Sequence, residues 1–141
     1  MLRSCYALFA AILLLAGCEE PVRGTPVDPH GVTIAPARWP SAVVAASSDP
    51  PRIIALLMNE TSIAPGSEWT GRIATTSNVA SLEMRTESFS FNATRIAFGQ
   101  FIFDQHVLDI VPQYKRPYTL QVIARNAAGN EDVRLIPIEL R

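Results

Sequence analysis

The stretch YTLQVIARNAAGNEDVRLIPIEL, residues 118–140, decides the fold because it contains a complete β-hairpin. From Tyr118 onward apolar residues alternate with mainly polar ones, which is the period of a half-buried strand. Residues 126–130 supply the Asn and Gly that a turn requires, and residues 131–140 form the returning strand. We therefore predict a hairpin whose first strand turns Tyr118 and the aliphatic residues towards a core.

The returning strand changes its pattern partway along. In a regular strand Val133 and Leu135 would point to one face, whereas Ile136 and Ile138 would point to the other. A single extra residue would restore the pattern, so we predict a β-bulge between Leu135 and Pro137. Because proline cannot donate to a ladder, Pro137 also indicates an edge strand.

The residues before this hairpin have the same short-strand character. Segments rich in Val, Ile, Thr and Phe are separated by turn residues at spacings typical of an all-β sandwich. In one of them Trp69, Gly71 and Ile73 alternate with polar residues, which gives one face to a core. We predict a single antiparallel β-sandwich of about seven strands over residues 52–141. The strands before the hairpin are predicted at 52–59, 68–75, 79–86, 88–94, 96–103 and a short 107–111.

The pattern Tyr118-x-Leu-x-Val-x-Ala-x-Asn126-x-Ala-Gly129 resembles the penultimate strand and final turn of immunoglobulin-like and fibronectin type III domains, including bacterial Ig-like modules. In those families the tyrosine forms a corner hydrogen bond, so the resemblance implies one for Tyr118. Two features depart from the pattern, since the domain has no cysteine pair and Trp69 falls on the second predicted strand. The resemblance implies an Ig-like fold and leaves the function open, because such sandwiches host many functions.

The start of the chain has the layout of a signal peptide. One basic residue, Arg3, precedes an uncharged and mostly aliphatic run from Tyr6 to Ala16. A helix of that run would be roughly 16 Å long, about half of the roughly 30 Å that a permanent membrane span requires. We therefore expect residues 1–17 to be removed after export.

The run ends in Leu15-Ala16-Gly17-Cys18, which resembles the lipobox of bacterial lipoproteins. The resemblance implies cleavage before Cys18, attachment of diacylglycerol to its thiol and a membrane anchor of palmitate-type acyl chains. The alternative is an ordinary secretory signal in which Cys18 is incidental. In Gram-negative family members an Asp after the cysteine is associated with the inner membrane, so Glu19 favours the outer membrane of the cell envelope in such a host.

Residues 18–51 read as a lipid-anchored, proline-rich linker, since they contain seven of the eleven prolines. Proline favours extended backbone, which makes such a segment a semi-rigid spacer. Within it, Val32–Ile34 and Ala42–Ala46 either form short strands or pack on the domain, and the pattern does not decide between these. Trp39 is expected to pack on its own domain, with docking to a partner as the alternative.

Composition excludes several classes of function. The net charge is -1, so no large one-signed field attracts nucleic acid. The only cysteines are Cys5 and Cys18, so the predicted domain has no thiol for catalysis or metal binding. A Ser-His hydrolase would have to use His30, in the linker, or His106. We expect no enzyme activity and no cofactor.

Two groups of residues have the chemistry of metal ligands. Asp104, His106 and Asp109 lie close in sequence, but a solvated strand end explains them better. Calcium-type oxygen ligands also occur together in the last turn, where turn formation explains them equally well. These residues are Asn126, Asn130, Glu131 and Asp132. We expect no metal site.

The sequence thus predicts a non-catalytic envelope protein, held to the membrane through lipid on Cys18, that displays an Ig-like module for protein or glycan contact. It would be an accessory of a larger surface or secretion assembly. The candidate contact loop comprises Arg125, Asn126 and Asn130, because end loops of a sandwich are common contact sites. The alternatives are a passive structural component of the envelope and an enzyme with an unrecognised site.

Overall fold

The computed structural model describes residues 39–108 and 112–141, together with the backbone of residues 25–26. Of the strands, seven have four or more residues and three are shorter. They are β1 (Thr25–Pro26), β2 (Ile53–Met58), β3 (Ser62–Ile63), β4 (Glu68–Thr75), β5 (Val79–Arg85), β6 (Ser90–Asn92), β7 (Thr94–Ala97), β8 (Gln100–His106), β9 (Pro117–Asn126) and β10 (Glu131–Leu140), with a 3-10 turn at Pro112–Tyr114. None of the described residues belongs to a helix with the length and apolar character needed to cross a membrane.

The strands form two packed sheets. The first sheet has the order β2-β4-β8-β7, and the second has the order β10-β9-β5-β6. Two short strands, β1 and β3, pair in parallel with the outer edge of β10. The neighbouring long strands are antiparallel, and the two sheets form a β-sandwich. The predicted all-β sandwich is therefore confirmed.

The turns define two ends of the sandwich. The apical end carries the β4–β5, β7–β8 and β9–β10 turns, at residues 76–78, 98–99 and 127–130. The basal end carries the β5–β6 turn and the longer connections that follow β2 and β8. The two ends are used below to locate each side chain.

The core lies between the sheets and is rich in aromatic residues. Trp69 and Phe103 are buried with their ring centroids 5.2 Å apart and their planes inclined by 67°. Gly71 lies directly opposite Phe103 on the neighbouring strand, and an added methyl group there would collide with the Phe103 ring. Tyr118 and Leu120 face this cluster from the second sheet, as the alternation predicts. Complete burial of one such side chain stabilises the fold by roughly 2–3 kcal/mol.

Tyr118 forms the corner hydrogen bond that the family resemblance implies. It lies at the start of β9 and is 6% exposed, and its hydroxyl donates to the carbonyl of Tyr114 at 3.1 Å. The bond ties the 3-10 turn to the first residue of the core face. The residue that carried the resemblance therefore makes the expected contact.

Two predicted strands are wrong in extent. The segment 96–103 is divided into β7 and β8, because Gly99 adopts a positive φ of 64° and closes a turn there. The segment 88–94 contains the three residues of β6 and then Thr94, the first residue of β7, because the chain changes sheets at Ala93. The predicted strand 107–111 is not formed at Val107 and Leu108, and its remaining residues lie outside the described part of the chain.

The predicted β-bulge in the last strand is also wrong. The pairing of β10 with β9 runs without a break from Glu131 opposite Arg125 to Glu139 opposite Pro117. Val133 lies opposite the buried Ile123 on the outer face of the sheet. The apolar residues of β10 therefore occupy both faces of the strand, and this alone explains why their alternation changes along it.

The edge position predicted for the last strand is wrong, because β1 and β3 pair with β10 on the side away from β9. Pro137 lies between these two short pairings. At that position proline removes no hydrogen bond from either short ladder.

Candidate functional site

The predicted contact loop begins with Arg125, whose guanidinium binds its own sheet. It forms ion pairs with Glu83 at 2.6 Å and with Glu131 at 2.5 Å. The hydrogen bond to the Glu83 carboxylate raises the pKa of Arg125 above its ordinary value. The positive charge of Arg125 is therefore paired with two carboxylates of its own sheet.

Asn126 is buried and holds the turn together. Its side-chain amide donates to the carbonyl of Asp49 at 2.9 Å, and its side-chain oxygen accepts from the backbone N–H of Asn130 at 2.9 Å. Asn130 itself is exposed. The structure thus places the three predicted contact residues side by side, but two of them bind the protein's own chain.

The partner of Asn126 belongs to a docked segment, residues 39–51, which we call the arm. Val43 forms a parallel bridge with Thr76, and its carbonyl accepts from the N–H of Ser77 at 2.8 Å. The Asn78 side chain donates to the arm carbonyls of Ala46 at 2.8 Å and of Asp49 at 2.7 Å. The arm therefore covers much of the apical end, where an Ig-like sandwich usually presents its loops.

Trp39 begins the arm and packs on the outer face of the first sheet, as expected. Its indole N–H donates to the Gln100 side chain at 2.7 Å, and Gln100 donates to the carbonyl of Pro40 at 3.0 Å. The Arg72 guanidinium lies 4.9 Å from the centre of the indole ring. Ala74 is fully buried although it lies opposite Gln100 on this outer face. The arm thus buries the apical part of the first sheet's outer face.

Below the arm the same face stays open. Leu57, Arg72 and Ile102 are exposed and lie opposite one another on adjacent strands of the first sheet. All four residues of β7 are exposed, and no described strand pairs with the far edge of β7. We call Leu57, Ile102 and the edge strand β7 the lateral surface. It combines apolar side chains with unpaired backbone groups.

A second exposed apolar group lies at the apical end. Val43 is 48% exposed, Val44 is 89% exposed and Phe98 is 74% exposed. The arm packs on the β7–β8 turn at Ala42 and Gly99. The two residues are so close that a Cβ added to Gly99 would lie 2.6 Å from the Cβ of Ala42. We call Val43, Val44 and Phe98 the apical patch.

The predicted ligand groups make other contacts. His106 pairs with Glu68 at 2.6 Å, Asp104 is exposed, and Asp109 lies outside the described residues. In the last turn Asp132 accepts from the N–H of Ile53 at 2.6 Å and pairs with Arg134 at 3.2 Å. Within the described ranges, His, Cys, Asp and Glu side chains form no group of three or more that could hold a metal ion.

Cys18 and His30 also lie outside the described residues. A scan against protein-family models and a search of the curated proteins find no match to this chain. Sequence reasoning missed both exposed apolar surfaces. The only available signal was weak, since Leu57 and Ile102 lie in strands with continuous apolar runs, where alternation does not distinguish the two faces.

Proposed function

We propose that this chain is a bacterial envelope lipoprotein, anchored by lipid on Cys18, whose Ig-like sandwich is a non-catalytic module that contacts a partner. The lipobox-like Leu15-Ala16-Gly17-Cys18 supports the anchor. With Glu19 after the cysteine, a Gram-negative host would hold it in the outer membrane. The mature chain then begins at the lipid and continues into the docked arm.

The proposed binding role rests on the lateral surface. An open edge strand can accept an extended segment of another protein by main-chain pairing. The exposed Ile96 of β7 and Ile102 of the adjacent β8 would bury apolar side chains of that segment beside the edge. This combination favours a protein partner over a glycan, because a glycan cannot complete a β-ladder.

The anchor is tested by intact mass and membrane fractionation of the wild type beside Cys18→Ala. We expect the wild type to lose residues 1–17, to gain acyl mass and to float with membranes. The Cys18→Ala variant should show neither the acyl mass nor the flotation. An unacylated wild-type chain in the soluble fraction would refute the lipoprotein proposal.

The contact is tested by photo-crosslinking in intact cells of the native host. A photoreactive amino acid replaces Ile102 or Leu57, and the matched control replaces Thr119, which is exposed on the second sheet. We expect a discrete protein adduct from the lateral positions alone. No adduct, or equal adducts from all three positions, would favour a passive structural component of the envelope.

A further inference from the structure

The direction of β1 shows from which end the chain approaches the sandwich. Thr25 lies opposite Arg134 and Pro26 opposite Leu135, in parallel pairing. Because β10 runs from the apical to the basal end, Thr25 is on the apical side of Pro26. Read from Pro26 back to Thr25, β1 therefore points towards the apical end.

The covalent distance to Cys18 is short. Six residues separate Cys18 from Thr25, and the seven Cα–Cα steps between the two give a reach of at most about 25 Å. Arg134 lies about 10 Å from the apical end of β10 and about 20 Å from its basal end. To run towards the basal end, the segment between Cys18 and Thr25 would first have to reverse direction, which takes roughly four residues. The remaining residues would reach only about 10 Å, which is less than the distance of about 20 Å to the basal end. The thiol of Cys18 can thus reach past the apical end but not past the basal end.

The apical patch lies at the end that the anchor can reach. Val44 and Phe98 are its most exposed members, and they project from two different segments that meet where Ala42 packs on Gly99. Apolar and aromatic side chains on protruding turns suit the boundary between lipid headgroups and acyl chains.

From these observations we infer that the apical patch docks on the lipid surface that holds the Cys18 anchor. The inference rests on the anchor of the proposed function. It gives the domain a fixed orientation, with its apical end on the membrane. The lateral surface then faces sideways and remains accessible to a protein partner.

The test places one fluorophore on the mature lipidated protein, reconstituted in vesicles of phosphatidylethanolamine and phosphatidylglycerol. Maturation would remove Cys5 and acylate Cys18, so an introduced cysteine is the only free thiol. Val44→Cys and Phe98→Cys are each labelled with an environment-sensitive dye, and Leu108→Cys is the control. Leu108 is 75% exposed at the basal end. The readouts are emission wavelength, quenching by nitroxide-labelled lipid and quenching by aqueous iodide.

We expect dyes at 44 and 98 to shift to the blue and to be quenched by the labelled lipid, while the dye at 108 is quenched only by iodide. Iodide quenching at all three positions of an acylated, floating protein would overturn the docking and leave the anchor intact. Protection from iodide at 98 without quenching by lipid would assign the patch to a second copy of the chain, and would also overturn the docking. A wild-type chain that is neither acylated nor vesicle-bound would overturn the anchor and the docking together.

Discussion

Asn59 at the basal end of the sandwich closes its own loop, whereas Asn126 at the apical end holds a distant part of the chain. At the basal end the Asn59 side chain binds the backbone of Glu68 and Thr70, about ten residues away. At the apical end Asn126 binds Asp49, which lies 77 residues earlier. The same residue type thus closes a local loop at one end and docks a remote segment at the other.

This difference separates two sources of stability. The Asn59 contacts form within a single connection between strands, so their loss affects one loop. Apical contacts join residues that are far apart in sequence, so their loss also releases the arm from the sandwich. Matched substitutions at the two ends should therefore have unequal effects.

The largest expected difference concerns two glycines with positive φ, Gly99 at the apical end and Gly66 at the basal end. A Cβ at Gly99 would lie 2.6 Å from the carbonyl oxygen of Thr75, whereas a Cβ at Gly66 has no neighbour within 4 Å. We expect Gly99→Ala to lower the free energy of unfolding by about 3 kcal/mol and Gly66→Ala by about 1 kcal/mol. Urea denaturation measures both. Equal losses would mean that neither Ala42 of the arm nor Thr75 of β4 constrains the β7–β8 turn.

A smaller difference is expected for the two asparagines. Asn126→Ala removes buried bonds to Asp49 and Asn130 and should cost about 2–3 kcal/mol. Asn59→Ala, on an exposed residue, should cost about 1 kcal/mol. Hydrogen exchange provides a second measurement. The backbone N–H of the arm residue Ala45 donates to the Ser77 hydroxyl while the arm is docked, so only Asn126→Ala should accelerate exchange at that N–H. Unchanged exchange there would show that the arm stays docked without Asn126.

The smallest expected effect is that of Tyr118→Phe, which keeps the ring and removes the bond to the Tyr114 carbonyl. We expect a loss of about 1 kcal/mol in urea denaturation. Exchange at Ala45 should be unchanged, because Tyr118 lies at the basal end. A faster exchange at Ala45 would couple the two ends and remove the distinction between them.

The fold could be predicted because it depends on alternation. The strand after Tyr118 and the segment around Trp69 both turn every second residue into the core, so a local pattern contains the necessary information. The predicted bulge failed for the same reason. Apolar residues also lie on the outer face, where Val133 is opposite Ile123. In the sequence they produce the same pattern as a change of register, so a single sequence cannot distinguish the two.

The candidate site was less predictable because its contacts are not local. Asn126 has the composition of an exposed turn residue, and only the arm, which precedes it by 77 residues, buries it. The arm is rich in proline and has no strand periodicity, so nothing in its sequence names Thr76, Asn78 or Gln100 as partners. The lipobox-like segment is a local signal, and the lipidation of Cys18 stays a prediction.

The pairing of β1 with β10 also affects how the chain folds during synthesis. The N-terminal part of a protein leaves the ribosome first, yet here its partners are in the last strand, where Asp132 accepts from the N–H of Ile53. Until residues 131–140 emerge, β1 and the start of β2 lack these partners. The pairing of β1 and the hydrogen bond at Ile53 can therefore form only once residues 131–140 are available.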